Sequence, residues 1–240
     1  MIDFPLSLAT DSRILCTWPE IAKQIDERYF ALGGVNTTHF LPYSSIVPVS
    51  VGGRNAAWFV THSLFKGVLR HYRRGGLIGK LIKNVYLWQG VEKTRSWSEY
   101  RVMAYLYIQN APVPRPIAAF YHRQGLTYEA ALITEQVENA QTLIAVLQKT
   151  SPDDYAQLAQ QVVTAIKKMH ALNVNHADLN AFNILINPQG EIYLIDFDKA
   201  KVETQQGTWC QHNLQRLERH LKKVLGEQGL AFMSHIHKKY

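Results

Sequence analysis

Between His176 and Lys199 the chain reads HADLNAFNILINPQGEIYLIDFDK, two polar clusters joined by a short apolar segment. His176, Asp178 and Asn183 form H-x-D-x-x-x-x-N. Two apolar runs follow, Ile184 to Ile186 and Ile192 to Ile195, divided by Asn187-Pro188-Gln189-Gly190 and ending in Asp196-Phe197-Asp198. Turn residues between apolar runs this short predict a hairpin. The stretch therefore reads as a loop, a hairpin and a second loop. That arrangement brings Asp178, Asn183 and Asp196 to one end of a small sheet, where three oxygen-bearing side chains can meet one magnesium-nucleotide.

Taken singly, each of these residues has a plain structural use: Asp178 and Asn183 can cap turns, and Asp196 can end a strand. Their joint spacing is harder to reach by accident. It satisfies the kinase pattern H-R-D-x-x-x-x-N, with Asp196-Phe197 in the place of D-F-G. In phosphoryl transfer a protein mainly positions reactants and neutralises developing negative charge. On this reading Asn183 and Asp196 are magnesium ligands, and Asp178 orients the acceptor hydroxyl and takes its proton. His176 reads as a structural group bonded to backbone rather than as a base. Asp198 stands where the pattern has glycine.

The remaining chain supplies candidate phosphate contacts. Residues 1–45 carry a short helix around Pro19 to Phe30 and read as an N-terminal extension. From Ile46 the texture is strand, glycine turn, strand, strand: Ile46 to Val51, Gly52-Gly53-Arg54-Asn55, Ala56 to Val60 and Gly67 to Tyr72. Gly52 and Gly53 would let backbone approach the nucleotide phosphates, although GGRNAA is not a full G-x-G-x-x-G and a glycine pair is often only a turn. Arg70, on the third strand, is the best-placed basic residue there. It is not the lysine of the kinase pattern, but guanidinium also binds phosphate oxygens. Arg73-Arg74-Gly75-Gly76 makes a basic turn, either solvated or an anion clamp.

Residues 96–109 have helical spacing of apolar side chains, with Glu99 in the first turn. Glu99 is either a solvent-facing acid favoured by the helix dipole or the ion-pair partner of Arg70. Prolines between Asn110 and Pro116 end the helix, and two strands follow, Ile117 to Tyr121 and Ala130 to Gln136. Ser151-Pro152-Asp153-Asp154 starts another helix running to His170. A last helix, about His212 to Leu225, has an apolar side and carries Arg216, Arg219, Lys222 and Lys223 elsewhere. It reads as a docked, solvated helix or as a basic face resting on anionic lipid. His235 to Lys239 reads as a loose basic terminus.

The fold class that follows is α+β: a bilobal, protein-kinase-like fold with an antiparallel-sheet N-lobe over 46–137 and a small, mainly helical C-lobe over 138–240. The formal charge of +7 over 240 residues favours a polyanionic partner without choosing one. Nucleic acid is not expected, since no recognition motif accompanies the charge. Two cysteines, Cys16 and Cys210, lie far apart without ligand spacing and read as reduced thiols. The N-terminus lacks a secretory pattern, and no run approaches bilayer length, so membrane contact is expected to be peripheral.

HADLNAFNIL with LIDFDKA, together with VLRHYRRGG and TRSWSEYR followed by APVPRPIAA, resembles the 3-deoxy-D-manno-octulosonic acid (Kdo) kinases of lipopolysaccharide biosynthesis over about residues 50–225. More distantly it resembles the heptose kinases of the same inner core. The resemblance implies ATP-dependent phosphorylation of the 4-OH of Kdo on Kdo-lipid A, at the cytoplasmic face of the inner membrane, with Asp178 as catalytic residue. Two features of the residues agree with a non-protein acceptor: Asn180 replaces the lysine of the protein-kinase Asp-Leu-Lys pattern, and no A-P-E follows Asp196. A heptose kinase, a protein kinase and a non-catalytic nucleotide-binding module of kinase shape are the competing readings, the last motivated by Arg70 and Asp198.

Overall fold

The computed structural model describes residues 5–7, 12–31, 42–49, 57–72 and 85–240. The chain divides into two compact units, one of Met1–Arg101 with Arg115–Gln136 and the other of Val102–Pro114 with Val137–Tyr240.

The first unit is built on one antiparallel sheet. Its strands are β1 (Pro5–Ser7), β2 (Ser12–Leu15), β3 (Ser45–Pro48), β4 (Ala57–His62), β5 (Phe65–His71), β6 (Tyr86–Leu87), β7 (Pro116–Gln124) and β8 (Thr127–Glu135), in the order β1-β2-β7-β8-β5-β4-β3 with β6 on β8. Strand periodicity sorts the side chains of β5. Phe65, Gly67 and Leu69 face a core shared with Ile14, Tyr43, Val60 and Ile133, which leaves Lys66, Val68 and Arg70 on the opposite face. Two short helical pieces, α1 (Pro19–Ala22) and a 3-10 turn over Glu27–Phe30, cover the core with Ile21, Tyr29 and Phe30. Helix α2 (Arg95–Ile108) begins in this unit, where the Tyr100 hydroxyl accepts from the Thr17 amide at 2.9 Å. Its later residues and the loop after it belong to the second unit.

Described residues before Ile46, which the sequence placed in an N-terminal extension, pair and pack within this unit. β2 pairs with β7 through Leu15 and Ala119, and Ile14 and Cys16 are fully buried. Removing a strand and its core side chains from a sheet would expose both an edge and apolar surface. The single helix expected over Pro19 to Phe30 is broken into two pieces, with Ile25 and Asp26 between them. Asp26 caps the second piece by accepting from the Arg28 amide at 2.9 Å.

The second unit is mainly helical. It holds β9 (Gln141–Thr142), α3 (Leu143–Leu147), α4 (Tyr155–Ala171), β10 (Val174–Asn175), β11 (Ile184–Ile186), β12 (Ile192–Leu194), β13 (Lys201–Val202), α5 (Thr208–Leu225) and α6 (Glu227–Lys239). Leu158, Val162, Ile166 and Met169 of α4 are buried, the stripe that its periodicity predicts. β11 and β12 form the expected hairpin, with Ile184 opposite Leu194 and Gly190 at φ +81 in the turn. The helix expected from about His212 is α5 and begins at Thr208, and the segment read as a loose terminus is the end of a further helix, α6, with Ile236 fully buried. An apolar stripe of Phe232, Met233 and Ile236 explains this; the basic residues around it had masked the stripe.

Gly229 lets α6 lie close against α5: a Cβ there would collide with the Leu221 carbonyl, a backbone atom that cannot rotate aside. Gly229→Ala should lower unfolding free energy by about 1–3 kcal/mol, as overpacking typically does. Urea denaturation monitored by tryptophan fluorescence measures it.

Candidate active site

The catalytic-loop candidates all lie in the second unit, and α5 braces the loop that carries them. Asn213, Arg216 and His220 recur at i, i+3 and i+7, so they share one side of the helix. The Asn213 amide oxygen accepts from the His176 backbone N–H at 3.2 Å. Arg216 donates to Asp178 Oδ1 at 3.2 Å, and His220 Nδ1 accepts from the Ala181 N–H at 3.3 Å. One helix face therefore grips the loop at three points.

His176 ties the loop to the second polar cluster. It is fully buried, its ring lies against Phe197 at 4.6 Å between centroids, and its Nε2–H donates to the Ile195 carbonyl at 2.9 Å. Burial pushes its pKa below the ordinary histidine value, against the opposing pull of that carbonyl bond and of Asp196 and Asp178. A neutral imidazole with its proton on Nε2 results. His176 is a fixed strut, as its motif position suggested, and not a proton carrier.

Asp178 is a third exposed, and its side chain lies between two cations: Arg216 on Oδ1, and Lys199 on Oδ2 with Nζ at 3.6 Å. Its backbone carbonyl accepts from Asn180 Nδ2 and from Asn183 Nδ2, both at 3.1 Å. The Asn183 backbone then holds the far end, its carbonyl accepting from the Ile195 N–H at 3.0 Å. Asp178, Asn183 and the residue preceding Asp196 are thus linked through hydrogen bonds, so the hairpin and His176 do bring the two clusters together. Ala177 and Asp196 both adopt left-handed backbone, at φ +56 and +64. Such conformations cost about 1–3 kcal/mol for a residue with a Cβ and gather at functional sites. The Asn175 side chain supports the first by accepting from the Ala177 N–H at 3.0 Å.

The donors fit magnesium. Asn183 spends its amide nitrogen on the Asp178 carbonyl, so its oxygen is the atom it could offer a cation, and Asp196 on the linked segment could offer a carboxylate. Among the described residues no group of three or more His, Cys, Asp or Glu forms a metal cluster. Magnesium does not need one, since it takes one or two protein oxygens and completes its shell with phosphate and water.

In the first unit Arg70 and Glu99 form an ion pair. One guanidinium nitrogen lies 2.5 Å from each carboxylate oxygen of Glu99, and the Tyr72 hydroxyl donates to the same carboxylate at 2.5 Å. Glu99 is only 1 % exposed, whereas Arg70 is 29 % exposed and packs its guanidinium over the Tyr72 ring at 4.9 Å. Glu99 is therefore not the solvent-facing acid that a first helical turn favours; among the described residues Arg70 and Tyr72 donate to its buried carboxylate. Gly52, Gly53 and the Arg73–Gly76 turn lie outside the described residues.

Sequence reasoning passed over Tyr72, Asn175, Lys199, Asn213 and His220, and gave Arg216 no role beyond the basic surface. Asn213 had a faint signal, a polar residue beside the buried Leu214 and Leu217 of an apolar stripe. The others take their meaning from neighbours distant in sequence.

The lipopolysaccharide kinase (Kdo/WaaP) family matches residues 45–235. Similar curated proteins include the 3-deoxy-D-manno-octulosonic acid kinase of Vibrio cholerae, 44 % identical over 75 % of this chain and 76 % of that protein. That of Vibrio vulnificus is 47 % identical over 72 % of each chain. The protein of the same name from Stenotrophomonas maltophilia is 41 % identical over 76 % of this chain and 72 % of its own. Among solved structures, the Cydia pomonella granulovirus kinase PK-1 aligns over 68 % of this chain and 53 % of its own at TM-score 0.49 and 13 % identity, a likeness too slight to argue from.

Two outcomes follow from the buried network. Asn213→Leu strands the His176 N–H and the His170 Nε2–H that also bonds Asn213 at 3.2 Å, so it should cost about 1–3 kcal/mol per stranded donor in urea denaturation. His170 and His176 are both held neutral by burial, so their folded pKa lies below the unfolded value. The unfolded chain then binds more protons, and stability is whole above about pH 6.5 and falls as pH drops below it toward the folded values. Denaturation midpoints at pH 7.5, 6.5 and 5.5 should decline in that order. With the catalytic-loop pattern, its bracing and these relatives in place, the chain belongs to the lipopolysaccharide kinase (Kdo/WaaP) family.

Proposed function

We propose that the protein transfers the γ-phosphoryl group of ATP to the 4-hydroxyl of Kdo on Kdo-lipid A. The observation that carries this reading is the loop holding Asp178 beside Asn183 and the Asp196 segment, in a chain 41–47 % identical to proteins named Kdo kinases. Asp178 takes the proton from the acceptor hydroxyl, whose oxygen bonds to the γ-phosphorus as the bond to the bridging oxygen of ADP breaks. Asn183 and Asp196 are the residues that would hold magnesium, which would supply neutralisation of charge on the phosphates. Arg70, steadied by Glu99 and Tyr72, contacts nucleotide phosphate, with Gly52 and Gly53 as the backbone approach. Arginine serves here because its charge is permanent and its nitrogens match phosphate oxygens.

The acceptor is a lipid, which supports a site of action at the cytoplasmic face of the inner membrane. No helix among the described residues is long and apolar enough to cross a membrane. Arg219, Lys222 and Lys223 are exposed on α5 and suit peripheral attraction to anionic lipid.

Purified protein with magnesium and radiolabelled ATP should label Kdo-lipid A, with phosphate on the 4-oxygen by NMR of the product. Asp178→Ala should reduce kcat about 10²- to 10⁴-fold while binding ATP as the parent does in calorimetry. Undiminished turnover would remove Asp178 from the mechanism. Label on a protein, or on a heptose, with Kdo-lipid A untouched would replace the acceptor assignment.

A further inference from the structure

We infer that Arg216, with Lys199 as a second arm, binds the carboxylate of the acceptor sugar and so selects an acidic sugar for phosphorylation. This rests on the proposed Kdo acceptor and deepens it. The starting observation is at Asp178: among the described residues two cations reach its one carboxylate, contributed by the helix α5 and by the residue after Asp196-Phe197-Asp198. Both cations are open to solvent, Arg216 by 45 % and Lys199 by 64 %. Ion pairs this exposed contribute little to stability, so folding does not account for the cluster. Among the described residues, Asp178 is the one side chain to which Arg216 donates, and a single nitrogen makes that bond. The rest of its planar fork remains for an oxyanion, and that fork matches a carboxylate.

The chemistry of the acceptor puts a carboxylate in reach. Kdo is a 2-ulosonic acid deoxygenated at carbon 3. One methylene therefore separates the carbon bearing the 4-hydroxyl from the anomeric carbon bearing the carboxylate. When Asp178 holds the 4-hydroxyl, the carboxylate lies near whatever flanks Asp178. Arg216 and Lys199 flank it. A neutral sugar in the same pose would offer these two cations no anion, so the arrangement favours an acidic sugar over heptose and protein hydroxyls.

The rival account keeps Arg216 as a brace for Asp178, or makes the cations partners of the transferring phosphoryl group. Steady-state kinetics with two acceptors separates these: Kdo-lipid A and its Kdo methyl ester, in which the carboxylate is neutral. The expected result is that esterification raises KM for the parent protein roughly ten- to a hundredfold, as loss of a charge-assisted contact does. Arg216→Gln should show the same rise on the acid and little further change on the ester, and Arg216→Lys should recover part of the loss on the acid alone. Lys199→Gln should show a smaller effect of the same kind. An equal fall in kcat on both acceptors would overturn the inference, because a brace or a phosphoryl contact does not sense the ester. Sensitivity to removal of the lipid A phosphates in place of the ester would overturn it too, moving the anion contact to the lipid. If the parent protein itself fails to phosphorylate Kdo-lipid A, the acceptor assignment falls and this inference with it. That result is recognisable because no variant is involved.

Discussion

A hydrogen bond from a buried histidine joins the two polar clusters of the candidate site. His176 donates through Nε2 to the Ile195 carbonyl, so the loop that carries Asp178 is tied to the segment that carries Asp196. Burial, with the ring against Phe197, favours the neutral imidazole. Asn183 repeats the link from the other side, donating its side-chain amide to the Asp178 carbonyl and accepting the Ile195 N–H on its own carbonyl. Positional precision of this kind matters because phosphoryl transfer asks little else of a protein than geometry and charge.

The brace behind the loop is polar where a core is usually apolar. Asn213 is buried and accepts from two donors, while its own amide nitrogen donates to Asn175 Oδ1 at 3.0 Å. Asn175 in turn supports the left-handed turn at Ala177. A hydrogen-bonded network of this sort specifies one arrangement, whereas the same groups left unpaired would be expensive. The strain at Ala177 and Asp196 is thereby held in place by hydrogen bonds on either side of it.

In the first unit the same logic governs a buried charge. Glu99 would be costly to bury alone; Arg70 and Tyr72 together make it tolerable, and the partner left partly exposed is the cation. The result is a positive group that reaches solvent from a hydrogen-bonded base.

Local rules made much of this legible in the residues alone. Period-2 and period-3.6 patterns marked most strands and helices, because half-buried elements must alternate apolar and polar side chains. The turn at Asn187–Gly190 and the five-residue step from Asp178 to Asn183 are local too, so hairpin and motif were readable directly. What could not be read was long-range. That β2 joins the sheet beside β7, that Asn213, Arg216 and His220 face the loop, and that Lys199 returns to Asp178 all depend on packing between segments far apart in sequence. A polar residue on a helix looks solvated until the surface it meets is known, and the apolar stripe of α6 went unnoticed among basic residues for that reason. Helix propensity and motif spacing act within a few residues, but the partners of a side chain are chosen by the tertiary fold, where burial decides which polar groups must find each other.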